Sequence, residues 1–181
     1  MSIRYSQPFW VSILAFCLVS PLALAEPAED TARAEAAYRT GDMVKAMTLW
    51  RQAANQNYAV AQARLGEVLD VAEQDEEAVS WFRKAAEQGN AAGEFGLGHM
   101  YASGEGIEKD IGKALYWIRR AADQDYLLAV EMLSRAYQIG DLGLSVDMQQ
   151  SKLWENRGSA IKNSADAAAK TIEKTEQGQG K

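Results

Sequence analysis

EEAVSWFRKAAEQGNAAGEFGLGHMYASGEGIEKDIGKALYWIRRAADQDY, residues Glu76 to Tyr126, contains one phrase twice: EEAVSWFRKAAEQGN is answered by GKALYWIRRAADQDY. Aligned on the Ala-Ala pairs, three copies stand together: KAMTLWRQAANQNYAVAQARLG from Lys45, EAVSWFRKAAEQGNAAGEFGLG from Glu77 and KALYWIRRAADQDYLLAVEMLS from Lys113. Ala46, Ala78 and Ala114 share one register, as do Ala53, Ala85 and Ala121, and Leu65, Leu97 and Leu133, at separations of 32 and then 36 residues. A degenerate fourth copy begins near Asp147, where DMQQSKLW answers DIGKALYW from Asp110.

A period in the thirties with apolar stripes of helical spacing indicates helix-turn-helix units stacked side by side. In the third unit Ala114, Trp117, Ile118, Ala121 and Ala122 fall at i, i+3, i+4, i+7 and i+8, one face of a helix. Ala85, Ala86, Gly96 and Gly98 let neighbouring helices approach closely, while Trp81, Phe82 and Tyr101 fill the wedges between them. Trp50, Trp81, Trp117 and Trp154 recur in the repeats and are expected in the core. Asp42, Asp75, Asp110 and Asp147 each precede a second helix, where a carboxylate caps exposed N–H groups and opposes the dipole. Gly89 suits a left-handed helix end, and ASGEGIEK from Ala102 reads as a glycine-rich turn. Gly104 and Gly106 have neither a preceding strand nor a following Lys-Ser/Thr, so a phosphate cradle is not indicated.

These positions, best kept in the third unit as Leu97-Gly98, Tyr101, Gly104, Gly106, Asp110, Lys113-Ala114, Trp117 and Ala121-Ala122, resemble the Sel-one-like repeat, a relative of the tetratricopeptide repeat. The match covers most of Ala32 to Lys162, with departures at Gly93, Ile118 and Gly158-Ser159. The resemblance implies an all-α protein, a right-handed α/α solenoid of about four helix-turn-helix repeats, acting as an adaptor for protein complexes, often in bacterial envelopes. Some cysteine-rich secreted relatives are linked to β-lactam binding or hydrolysis. They carry a cysteine pair in each repeat, and this chain has a single cysteine, Cys17.

Residues 1–25 read differently from the rest. Arg4 is their one charge, Val11 to Val19 is almost wholly apolar, Pro21 ends the run, and Ala23-Leu24-Ala25 offers a small-residue cleavage site before Glu26. A secretory signal peptide cut after Ala25 is the expectation, with an uncleaved membrane anchor the competing reading. Phe16 before Cys17 argues against a lipoprotein signal. Cleavage would remove Cys17, leave no disulfide, and make the net charge of −6 one unit more negative. The expected product is periplasmic or secreted, without stable membrane insertion. Its acidity and lack of a basic block disfavour nucleic acid. Residues 26–163 form the expected solenoid. Residues 164–181 continue as a capping helix, with Asp166 able to pair with Lys170, before fraying from Glu176.

The chain has one histidine, His99, so a multi-histidine metal site is excluded, and no serine lies on a Gly-x-Ser-x-Gly elbow. No catalytic set, metal or cofactor is assigned. The function expected is non-catalytic: an adaptor, inhibitor or immunity-type protein of the cell envelope that holds a partner protein in its concave groove. A hydrolase acting on cell-wall or β-lactam substrates is the alternative. Leu97 and Tyr101 are core positions of their helix, so Phe95, His99 and Ala102 should face the other way. Register carries these positions to Ala63, Glu67 and Asp70 in one neighbour and to Glu131, Arg135 and Gln138 in the other. The candidate groove is therefore Phe95 with Glu67, Asp70, His99, Glu131, Arg135 and Gln138. Two readings of Phe95 stay open, an exposed anchor flanked by Glu67, His99, Glu131 and Arg135, or a ring tucked against a neighbouring helix.

Overall fold

A computed structural model describes residues 26–178. The expected signal peptide and the last three residues of the tail lie outside the described residues. Among the described residues there are eight helices and no strand: α1 (Pro27–Arg39), α2 (Met43–Asn55), α3 (Ala59–Val71), α4 (Asp75–Glu87), α5 (Ala91–Ser103), α6 (Ile111–Asp123), α7 (Leu127–Ile139) and α8 (Met148–Gly178). Each packs antiparallel on the next, α1 on α2, α3 on α4, α5 on α6 and α7 on α8, and the pairs stack consecutively into an α/α solenoid. Helix α3 also touches α1 and α5, whereas the even-numbered helices have no comparable packing with one another. Over these repeats the array therefore bends with its odd-numbered helices inside.

Local chemistry sets the helix ends. Asp42 and Asp110 accept hydrogen bonds from the backbone N–H of Lys45 and Lys113, and Asp147 accepts from Gln149 and Gln150. Asp75 does not cap. In the shared register the cap position of unit two is Gln74, the counterpart of Asp42 and Asp110, so Gln74 holds the N-cap without a side-chain bond and Asp75 is the first residue of α4. There, with Glu76 and Glu77, it still opposes the helix dipole. The second helices of the first three units end on a left-handed residue in one register, Asn57, Gly89 and Asp125, residue types that tolerate positive φ.

The core divides into two clusters, one from Ala34 to Met100 and one from Ala114 to Leu142, with Tyr101 packed against both. Phe82 explains two of the helical glycines. A Cβ at Gly66 of α3 would stand 2.7 Å from its ring and one at Gly96 of α5 2.4 Å, so the ring is wedged between two helices that must be bare there. Trp50 (1% exposed) and Trp81 (8%) are buried, but Trp117 and Trp154 are only half-buried. The four do not share one position: Trp50 stands with the buried Phe82 and Ile118, whereas Trp81, Trp117 and Trp154 share the preceding position with Leu49, a position buried in units one and two and half-buried in units three and four. A basic residue covers each of those three rings: Lys84 on Trp81, Arg120 on Trp117 and Arg157 on Trp154.

A buried polar row runs through the odd-numbered helices at one register, Asp30, Gln62 and Glu94, until Val130 replaces it in α7. The cap residue of the next helix reaches back to this row. Gln88 Nε2 donates to Gln62 Oε1 at 2.7 Å, and Gln124 Nε2 donates to Glu94 Oε2 at 2.7 Å, while Arg120 pairs with the other Glu94 oxygen. Each contact fastens the two helices of one unit, and the partners satisfy groups that would otherwise be costly to bury. In α8 the side chains from Asn163 to Thr171 are exposed, so this stretch lengthens the last helix beyond its contact with α7. Asp166 and Lys170 do not pair.

Candidate functional site

Three hollows involve the odd-numbered helices, one between α1 and α3, one among α3, α5 and α7, and one between α7 and α8. The middle one, about 340 Å³, collects Glu67 and Asp70 from α3, Phe95 and His99 from α5, and Leu128 and Met132 from α7, with Tyr126 at one side. Four of the seven residues singled out in the sequence therefore meet here. Phe95 is half-buried: its ring centroid lies 5.4 Å from that of Tyr126 and 6.4 Å from that of His99, and it packs against the second core cluster. Both readings of Phe95 contribute, since the ring leans on a neighbour and still faces the hollow. Leu128 is 51% exposed beside it.

Glu131, Arg135 and Gln138 are also together, but in the next hollow, about 350 Å³, with Ser134, Trp154 and Lys162. Glu131 pairs with Lys162 of α8 at 2.6 Å. Glu131 and Arg135 thus do not flank Phe95. A hollow lies between two helices and receives a different edge of each, so α7 offers Leu128 and Met132 toward α5, the register partners of Ala92 and Gly96. Ala63, at the register of Phe95, does not face outward either. It is 2% exposed, because α3 is packed between α1 and α5.

The third hollow, about 300 Å³, lies between α1 and α3 over Trp50. Tyr38, Met43, Val68 and Val71 give it apolar walls, and Glu67 is shared with the middle hollow. Arg64 bridges Glu35 and Glu67, at 2.8 Å to each. Sequence reasoning did not find this hollow, because Glu35 and Tyr38 precede the aligned copies. Tyr126, Leu128 and Met132 were also missed. Tyr126 had a detectable signal as the counterpart of Tyr58 at the join between two units.

Electrostatics follow from this crowding. Burial pushes the Asp70 carboxyl above its usual range, and Glu105 and Asp75 push the same way while His99 opposes them. Burial likewise raises the Tyr126 hydroxyl, with Glu67 adding to the effect. The hydrogen bond to Glu67 and the field of Glu35 hold Arg64 more firmly charged. Among the described residues no group of three or more His, Cys, Asp or Glu is placed to hold a metal ion, and no helix is long and apolar enough to cross a membrane. What the face offers is partly exposed aromatic and aliphatic surface rimmed by carboxylates, chemistry suited to gripping another chain's side chains.

The Sel1 repeat model matches residues 35–58, 59–90, 91–126 and 126–154, and this chain belongs to the Sel1 repeat family. Proteins of this family serve as protein-interaction scaffolds. The chain is 31% identical over 132 residues to chitin synthase regulatory factor 3 of Schizosaccharomyces pombe, covering 69% of this chain and 14% of that one. It is 29% identical over 150 residues to the ERAD-associated E3 ubiquitin-protein ligase component HRD3A of Arabidopsis thaliana, covering 74% and 21%. The chain thus spans a seventh to about a fifth of the length of these relatives. Among solved structures it is similar to a protective antigen of uropathogenic Escherichia coli with an SLR fold (29% identity, TM-score 0.66, 83% of this chain and 36% of that one). It is also similar to a Sel1 repeat protein of Oxalobacter formigenes (28%, TM-score 0.65, 77% and 42%).

Proposed function

We propose that this chain is a non-catalytic scaffold that binds a partner protein along its odd-helix face, in the bacterial cell envelope, and so assembles, blocks or localises that partner. The observation that carries the reading is the middle hollow, where Phe95, Leu128 and Met132 keep apolar surface in contact with solvent inside a rim of Glu67, Asp70 and His99. An aromatic centre with a polar rim is the arrangement in which few residues supply most of the binding energy. The relatives named as a regulatory factor and a ligase component support a stoichiometric role. Affinity capture from envelope extract tests it: a partner retained by the wild type should bind Phe95→Ala with Leu128→Ser roughly thirtyfold more weakly, equivalent to about 2 kcal/mol. Unchanged retention by that double variant would remove the middle hollow from the interface.

The envelope address rests on Pro21 and Ala23-Leu24-Ala25 ahead of Glu26. Mass spectrometry of the exported protein should find Glu26 as its first residue. Recovery of the chain with Met1 to Ala25 attached would contradict export by cleavage.

A further inference from the structure

Trp50 lines the hollow between α1 and α3, and its indole carries a donor with no acceptor among the described residues. Trp50 is 1% exposed, and its Nε1 is buried. A buried N–H without an acceptor is a cost that an acceptor entering the hollow would relieve. A second observation points to the same place. Tyr38, Met43 and Val71, the last 86% exposed, stand around the opening with large apolar surface in water. Tyr38 and Trp50 are in tilted ring contact, centroids 5.5 Å and planes 51° apart, and form one wall of the hollow together.

We propose that this hollow is a peptide-binding subsite: an extended, basic segment of a partner protein seats one large apolar side chain among Tyr38, Met43 and Val71, and one of its backbone carbonyls accepts the Trp50 indole N–H. The assignment rests on the odd-helix face being the binding face. Size supports a side chain as the guest, since about 300 Å³ is the lower end of ligand-pocket volumes. Charge selects the flanking residues. Glu35 and Glu67 line the rim and already share the one cation there, Arg64, while Asp70 lies beyond Glu67 in the adjoining hollow. A lysine or arginine beside the apolar anchor meets this excess of carboxylates, whereas an acidic segment meets repulsion.

Two blocked hexapeptides serve as probes, acetyl-Lys-Ser-Leu-Phe-Lys-Gly-amide and its counterpart with both lysines replaced by glutamate. They are added to protein purified from cells expressing the full chain, and the Trp50 indole N–H resonance is followed by nuclear magnetic resonance. Trp50→Phe identifies that resonance and removes the donor; phenylalanine suits the site, because Phe82 occupies the same register in unit two. Val71→Ser removes apolar rim without touching the core. The lysine peptide alone should move the resonance downfield, and each variant should bind it about tenfold more weakly per folded molecule, the scale of one hydrogen bond or one apolar contact, with Val71→Ser leaving the melting temperature unchanged. The subsite is refuted if neither peptide moves the resonance, as when water alone serves the donor. It is equally refuted if the glutamate peptide acts as strongly, or if both variants bind the lysine peptide as the wild type does. These outcomes are independent of capture through Phe95, so a partner retained through the middle hollow with no response at Trp50 sinks the subsite and leaves the wider reading standing.

Discussion

Trp50 and Trp117 differ in burial: Trp50 is 1% exposed, whereas the ring of Trp117 lies half in water. Trp50→Ala should cost about 3–5 kcal/mol, the usual range for deleting a fully buried tryptophan. Trp117→Ala should cost about 2 kcal/mol, since much of its ring is never removed from water. Urea unfolding midpoints check the pair, and equal losses would contradict this difference. Asp70 gives a prediction of opposite sign. Its carboxyl is raised above the usual range by burial first, then by Glu105 and Asp75 against the pull of His99, so the folded chain holds a proton where the unfolded chain has released it. Stability is therefore lost as pH rises from the ordinary carboxylate range through the folded value, and stays lost above it. Asp70→Asn should raise the melting temperature at pH 7 and give no gain below about pH 3, where both states are protonated. A loss of stability at pH 7 would show that Asp70 is held by a favourable partner.

Element by element, Phe82 decides how closely α3, α4 and α5 pack. Gly96→Ala puts a methyl group inside the Phe82 ring contact and should cost about 1–3 kcal/mol by overpacking. In a Phe82→Leu background the same substitution should cost clearly less, and a double-mutant cycle with no coupling would place the strain elsewhere. The sequence marked Gly96 as a bare position and Phe82 as a bulky one, but not that the two meet. The helix caps were legible at Asp42, Asp110 and Asp147 but not in unit two, where the cap register falls on Gln74 and the neighbouring Asp75 is already inside the helix. The row of Asp30, Gln62 and Glu94 was not legible. A charged residue on a helix reads as solvated until its partners, here Gln124 and Arg120 from the next helix, are known. Residues past Lys162 keep a helical pattern and α8 runs on through them to Gly178, but a weak apolar stripe did not show whether anything lay beneath it.

For the whole molecule, periodicity was enough to give a stack of four helical pairs, because a repeat unit buries its apolar faces only against its neighbours. All seven candidate residues lie on odd-numbered helices, yet periodicity merged two hollows into one, the second of them shared with α8. Register equates residues along a repeat, whereas a hollow joins unlike edges of successive helices, so Leu128 and Met132, and not Glu131 and Arg135, complete the surroundings of Phe95. The hollow over Trp50 was out of reach because it uses the divergent first helix. The central claim is that partners bind the odd-helix face, and site-specific photo-crosslinking tests it most directly. A photoreactive residue is placed at His99 or Arg135 on that face and at Arg83 or Arg119 on the exposed side of α4 and α6. The same partner adduct should form from positions 99 and 135 and not from 83 or 119; adducts from 83 or 119 alone would place the interface on the opposite side of the solenoid and contradict the account.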